Sequence, residues 1–478
     1  MQNRLWLQLL SDEGIDQIER TAYRLLDEVG ITLEHDQARE MLHGLGCRVE
    51  GGRTHIPRDV IARALENVTA GRQARHRDGS PAFALGDGRV RFHNGGGQPF
   101  TLDLDSGARR PATLQDVADI TRLLDALPNV DQITPLFSPQ DVAPDLLFVE
   151  STAAMLRNTQ KPVSSAAVDR PEDVPYLIEM AAACCGGREA FLRQPNMSIS
   201  VSPVSPLKFT ADVTAAILAV ARSGAPFHAL PAPSLGATGP VTMAGALAQQ
   251  QAEVLASFVL AAAARPGASV VYCSRIGPID LRTAMSAWGG PEVGMTGACA
   301  AQLAHHLGFP CDSYGLCTNA ALLDPQFAYE RLANALVPAL GGVDILSGVG
   351  MGGNLVGGLE IAVVDDEIVG LIKQIVGGCE VSEETLAYDL MAEVIPRDGV
   401  FLAEMHTVKQ MRKGALWIPG ISVRAESEGS LASEGVVARA RARAKEILRG
   451  HEVAPLPDDA SRHLDEVVAR ARRELAGP

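Results

Sequence analysis

The chain has 478 residues, 46% hydrophobic and 21% charged, a balance that excludes disordered and fibrous proteins and allows a sizeable core. Its formal net charge of -15 excludes nonspecific binding to nucleic acid, which needs surplus Lys and Arg against phosphate. Aromatic residues make up only 4%, so a cluster of them beside a predicted loop carries information.

At the N-terminus the apolar run Leu5 to Leu10 is too short for a secretory signal and leads directly into an acidic helix start. Ser11 caps a predicted helix with Ile15, Ile18, Ala22, Leu25 and Leu26 at helical spacing and Gly30 as its stop. A helix around Asp36 to Leu45 and another after Pro57 follow. Between Phe83 and Leu104 short alternating runs with turns at GDG and HNGGG predict one or two β-hairpins laid on the main domain.

From Thr113 onward, apolar runs alternate with helical patterns. The runs are Gln132 to Phe137, Lys161 to Ala167, NMSISVSP, PFHALPAP, Ser269 to Ser274, the segment from Cys311, and Asp344 to Gly350. Each ends in small, polar or glycine residues, as buried parallel strands do at functional loops. Alternation of this kind predicts βα units, and no glycine fingerprint of an open dinucleotide-binding sheet follows the first strand. The expected fold is therefore α/β, a (β/α)8 TIM barrel with a helical N-terminal extension and a helical C-terminal region. Residues 1–110 are read as the extension, 111–365 as barrel core, and 366–478 as helices packed on the barrel. The eighth strand has two candidates, near Gly30 to Leu33 and near Leu359 to Val364. The longest apolar run, Val254 to Ala264, falls short of the ~20 residues of a membrane helix. The late Arg run, Ala438 to Lys445, reads as the solvated face of a helix.

Barrel chemistry sits on the loops after the strands, so strand ends supply the candidates. They are Ser138, Ser164 and Ser165, Ser202 and Ser205, Ser234 with Gly236 and Thr238, Ser274 with Arg275, Tyr314 with Cys317 and Asn319, and Ser347 to Asn354. Neutral hydroxyls and glycines dominate, and no nucleophile-base pair stands out, so the catalytic residues are unassigned. The loop from Ser234 runs into a helix start at Thr242, where free N–H groups favour an anion, although a simple capped turn has the same sequence form. Asp324, Pro325 and Gln326 form a capped helix start at the mouth. His305, His306, Cys311 and Cys317 are zinc-type ligands within thirteen residues, but adjacent helical histidines diverge by about 100° and the cysteines fall at opposite ends of one short strand. No metal is expected. Eight cysteines without a CxxC pair point to free thiols in a reducing cytoplasm.

Several segments together resemble the trimethylamine methyltransferase superfamily, the corrinoid-dependent methylamine and quaternary-amine methyltransferases. They are LSDEGIDQIERTAYRLLDEVGI, GATGPVTMAGALAQQQAEVLASFVLAAAARPGASVVYCS, DPQFAYE, GGVDILSGVGM, ETLAYDLMAEVIPRDGVFLAEMHT and the closing helix after APLP. The resemblance runs almost end to end. It implies a barrel whose mouth receives the corrinoid (cobalamin) of a separate corrinoid protein, with methyl passing from a methylated amine to Co(I). The nucleophile then comes from the cofactor, which agrees with strand ends that lack an acid-base pair.

The chain contains only the twenty common residues, which places it in the non-pyrrolysine branch. There a quaternary ammonium is chemically reasonable, since it loses methyl as a neutral tertiary amine and needs no proton donor. The implied substrate is glycine-betaine-like, its cation held by aromatic rings such as Tyr314, Tyr272, Phe137 and Trp288. Asn319, Gln326 and Asn354 are expected to converge with Tyr314 in one substrate pocket. Ser234, Gly236, Thr238, Ser274, Ser347 and Gly348 are expected on the cofactor side. Many non-pyrrolysine relatives carry a His-Asp pair where this chain has Ser347-Gly348, and the tryptophan that often follows a VRAES-like segment is missing near Ser430. Those departures leave room for another N-methyl substrate or for a noncatalytic methylated-amine-binding barrel; a metal-dependent barrel hydrolase would be supported only by stoichiometric zinc in the purified protein. Self-assembly into a homo-oligomer is compatible with the sequence.

Overall fold

In the computed structural model, residues 2–3, 7–397, 399–424 and 435–475 are described; Leu5 and Trp6 of the N-terminal run, and Ser430, lie outside them. The predicted apolar runs form parallel strands Val163–Ala167, Met197–Val201, Phe227–Ala229, Ala268–Ser274, Cys311–Tyr314 and Ile345–Val349, each paired with the next. Their residues are almost all buried, because helices cover the outer face and side chains fill the inside.

The ring closes through a strand that the sequence reading misplaced. Arg91–Asn94 pairs in parallel with Ile345–Val349, and residues 132–133 bridge it to Val163 through His93 with Gln132 and Ile133 with Val163. Seven strands and that bridging segment make eight. Both sequence candidates for the eighth strand are corrected. Thr32–Leu33 pairs with Lys208–Phe209 away from the barrel ring, and Leu359–Gly377 is a helix. The segment read as a hairpin laid on the barrel thus supplies a barrel strand. Asn94 explains how so polar a strand is tolerated: its side chain donates to the Thr134 carbonyl at 2.6 Å and accepts from the Thr134 N–H at 2.9 Å. A side-chain amide takes the place of a missing rung of the backbone ladder.

Helices Leu114–Ala126, Leu147–Asn158, Asp173–Cys184, Ala211–Ser223, Met243–Ala264, Pro291–His306 and Pro325–Leu340 follow the strands as the periodicity predicts. At the N-terminus, the Ser11 hydroxyl accepts from the Gly14 N–H at 3.1 Å, and the chain leaves the first helical stretch at Gly30, where φ is +73°. Beyond the barrel, helix Val436–Gly450 buries Ala440, Ala444 and Ile447; Arg443 and Arg449 are exposed, while half-buried Arg441 reaches buried Glu360 at 3.2 Å. Helix Asp458–Glu474 packs on Asp173–Cys184, with Arg472 bonded to Glu150 at 2.6 Å. No helix among the described residues is long and apolar enough to cross a membrane.

Candidate functional site

At the C-terminal ends of the strands lies a cavity of about 360 Å3, lined among others by His93, Thr134, Ser138, Phe148, Ser164 and Ser165. Arg275, Asp312, Tyr314, Ser347 and Met351 complete its polar and aromatic wall. A larger groove of about 970 Å3 lies between helices Asp173–Cys184, Ala211–Ser223 and Asp458–Glu474, on the outside of the barrel. The strand-end cavity falls within the roughly 300–1,000 Å3 of small-molecule sites and lies at the strand ends, where barrel chemistry sits.

Its floor is a buried charge network centred on Asp312. Arg275 Nη2 donates to Oδ1 at 2.7 Å, the His228 ring lies 3.1 Å from Oδ2, and His93 Nε2 lies 3.4 Å from Oδ1. All four residues are buried. Burial works to raise the Asp312 pKa, yet the Arg275 charge, followed by the two histidines, holds the carboxyl well below the usual carboxylate range. Asp312 is therefore an ionised, acceptor-only hub. Arg275 remains a cation and also donates to the Ser274 carbonyl at 3.0 Å.

Ligand atoms of His228, Cys273 and Asp312 come within 4.8 Å of one another, the only metal-type grouping of three among the described residues. The Cys273 thiol is pushed well up by burial and by Asp312, and Arg275 already balances the carboxylate. The group is built as an ion-pair hub rather than as a cation cage. Elsewhere, His305 pairs with Asp344 at 2.8 Å and the Cys317 thiol donates to the Gly315 carbonyl, so those zinc-type side chains are spent on local bonds.

Tyr314 stands on this wall. The Arg275 guanidinium lies 4.9 Å from its ring centroid, and Trp288 meets it edge-on at 4.9 Å. Burial pushes the phenol up to about 12, with Arg275 opposing. Ser347 lines the same cavity. Gly348 follows it at φ +122°, and its carbonyl accepts from Arg331 Nη2 at 2.9 Å. Arg331 and Asp365, both fully buried, form an ion pair beneath this turn, and Asp365 accepts from the Gly350 N–H at 2.7 Å.

The other expected residues fall elsewhere. Asn319 staples the neighbouring loop, accepting from the Gly289 N–H at 2.7 Å and donating to the Ser286 carbonyl at 2.8 Å. Gln326 donates to Glu330 at 2.8 Å, and Asn354 is exposed at φ +58°. The structure does not bring these three together with Tyr314 in the cavity. Phe137 and Tyr272 are core residues, the Tyr272 hydroxyl donating to Gln251 at 2.7 Å. Ser274 likewise turns outward to Gln250 at 2.8 Å. In the 234–239 loop, the N–H groups of Ala237, Thr238 and Gly239 all point to the Ser234 carbonyl, and the Ser234 N–H donates to Thr238 Oγ1 at 2.9 Å. This turn, with Gly236 at φ +87°, satisfies itself and offers no anion cradle.

Missing from the sequence candidates are His93, His228, Asp312 and Phe148. An ionisable residue inside an otherwise apolar strand run was the available signal for Asp312 and His228; His93 carried none, lying in the segment read as a hairpin.

Fold and cavity together define the class: a (β/α)8 barrel with a small-molecule-sized cavity at the C-terminal ends of its strands. The family model for trimethylamine methyltransferase (MTTB) matches residues 2–476, and the chain belongs to that family of methyltransferases. A trimethylamine methyltransferase MttB of Desulfitobacterium hafniense is 29% identical, over 97% of this chain and 94% of that protein. A glycine betaine methyltransferase of the same species is 28% identical, over 98% of each chain. Among solved structures, the monomethylamine methyltransferase of Methanosarcina barkeri aligns with 98% of this chain and 95% of its own at 15% identity and a TM-score of 0.45.

Proposed function

We propose that this protein transfers a methyl group from a quaternary amine of the betaine and choline class to Co(I) of a corrinoid protein. The observation that carries the reading is a wall of aromatic and hydroxyl groups whose ionisable members are bound to one another. Asp312 is committed to Arg275, the histidines flank the same carboxylate, and the Cys273 thiol is buried and protonated. A reaction supported here takes its nucleophile from outside, and Co(I) supplies one when the partner is docked. The cavity suits a small amine and is far too small for a corrin ring, so the corrinoid stays on its partner at the mouth. The chain's own part is positioning. Phe148 and Tyr314 are the aromatic residues of the wall, and transfer of the methyl group releases a neutral tertiary amine, the N–C electron pair staying on nitrogen. Ser347 and Gly348 remain the cofactor-side candidates at the mouth.

The test is a spectrophotometric assay with the purified protein, cob(I)alamin on a corrinoid protein, and glycine betaine, choline, carnitine and proline betaine in turn. Loss of the Co(I) absorbance with at least one amine is expected. No change with any of them, under conditions where the amine binds, would leave a noncatalytic binding barrel.

A further inference from the structure

Large apolar side chains crowd one half of the barrel mouth. Val241, Leu281, Met285, Leu322 and Leu355 are each 62–71% exposed. They sit on the loops that follow strands Phe227–Ala229, Ala268–Ser274, Cys311–Tyr314 and Ile345–Val349. Residues 95–112, 138–146 and 168–172, on the loops after Arg91–Asn94, residues 132–137 and Val163–Ala167, have no large apolar side chain exposed.

The five side chains belong to one continuous arc. Leu281 and Val241 meet over Gly236, where an added Cβ would lie 3.1 Å from Leu281 Cδ2 and 3.7 Å from Val241 Cγ2. Ser234–Leu235 pairs with Gly277–Asp280, and that strand pairs with Met285–Ser286. Asn319 then donates to the Ser286 carbonyl, and a Cβ at Gly353 would lie 2.4 Å from the Ala320 carbonyl oxygen, so the loop of Leu355 abuts the loop of Leu322. Trp288 joins the arc to the cavity. It packs on Gly277, where a Cβ would collide with its ring, and meets Tyr314 of the cavity wall edge-on at 4.9 Å.

The arc carries little charge of its own. Residues 234–242 and 350–358 contain no ionisable side chain, and Asp280 and Arg282 pair with each other at 2.9 Å. Leu355 itself is held at φ +59°, a conformation disfavoured for a bulky residue, with its side chain in water. A rim of this kind is built for an apolar partner surface. Its exposed apolar area, on the order of 500 Å2, falls short of the roughly 800 Å2 a side of a stable interface and matches a transient one. A nucleophile brought from outside has to reach the wall and leave once methylated, whereas a second copy of this chain seated here would block the mouth.

We infer that this arc is the docking face for the corrinoid-carrying partner protein, which engages one half of the mouth through apolar contacts with Leu281, Met285, Leu322 and Leu355. This rests on the methyl-transfer reading above and adds to it the surface that the partner uses.

The experiment measures binding of the full-length protein to the corrinoid protein of the assay above, loaded with hydroxocobalamin, by biolayer interferometry. In parallel, methyl transfer is followed to free cob(I)alamin, which needs no protein docking. Leu281→Asp and, independently, Leu322→Asp should each weaken binding of the corrinoid protein roughly tenfold or more. Transfer to free cob(I)alamin and binding of the amine should stay within about twofold, and Ala143→Asp, on the opposite half of the mouth, should leave all three unchanged. Binding by the unaltered protein should persist to about 0.5 M NaCl, because apolar contacts are not screened. Unchanged binding in both rim variants overturns the inference, as does an equal loss with Ala143→Asp, loss of binding in salt, or no measurable binding by the unaltered protein. A loss that appears equally with free cob(I)alamin places these residues in the cavity's function and also overturns it. So does a shift in sedimentation of the chain alone with Leu281→Asp, which would make the arc an interface between copies. Methyl transfer by the unaltered protein to neither acceptor overturns the methyl-transfer reading, which is scored separately from the binding result.

Discussion

Asp312 is ionised inside the barrel because Arg275 offsets the burial that would otherwise neutralise it. Breaking such a pair leaves a bare buried charge, so Asp312→Asn should cost about 3–5 kcal/mol of stability in urea unfolding. The carboxyl is depressed in the folded state, so its contribution is complete above the unfolded value near 4 and is lost as pH falls through the lower folded value. The stability gap between the unaltered protein and the variant should therefore narrow as pH falls below about 4. A gap that widened as pH fell below about 4 would contradict the assignment of Asp312 as the ionised hub. Tyr314 was legible as a mouth residue because aromatic residues are rare and it ends a strand run. Its ring is not the free cation box expected for it, since Arg275 already lies over one face. Which face an aromatic ring has left depends on a side chain 39 residues away in sequence, and no local pattern carries that.

The strand-to-helix units set the site at the level of elements, and the turn after Ile345–Val349 is the most constrained of them. Gly348 lies at φ +122°, and a Cβ there would run into the Gly315 carbonyl oxygen. Gly348→Ala should cost more than about 2 kcal/mol, with the loss read by thermal or urea unfolding. An unchanged melting point would show that the turn can relax. The buried pair Arg331–Asp365 fixes the same turn from below through the Gly348 carbonyl and the Gly350 N–H. Helices and central strands were legible because their apolar spacing is regular over many residues. Arg91–Asn94 was not, since three of its four residues are polar and become inward or ladder-bonding groups only once Asp312 and Thr134 are beside them.

Across the whole molecule, apolar side chains gather on the outside of the segment from Leu386 to Ile418. Tyr388 is 74%, Leu402 81% and Met405 76% exposed, whereas helices Tyr388–Arg397 and Met405–Arg412 together bury only Val394. So many exposed large apolar side chains in one segment are unusual on a monomer. The protein is expected to self-associate through it, with Leu402→Glu and Met405→Glu together shifting sedimentation towards the monomer without loss of helix content. A monomeric unaltered protein at micromolar concentration would refute this.

The sequence by itself determined the barrel, the order of its helices and the family resemblance, because these depend on periodic apolar patterns and on residues near one another in the chain. Only the tertiary structure decided how the ring closes and which side chains face the cavity. Strand ends name residues at the mouth, but a turn of one residue sends a side chain outward, as with Ser274 and Tyr272, or inward, as with Arg275 and Asp312. The network joining His93, His228, Arg275 and Asp312 spans four strands far apart in the chain, and each polar residue is tolerable there only because the others are present.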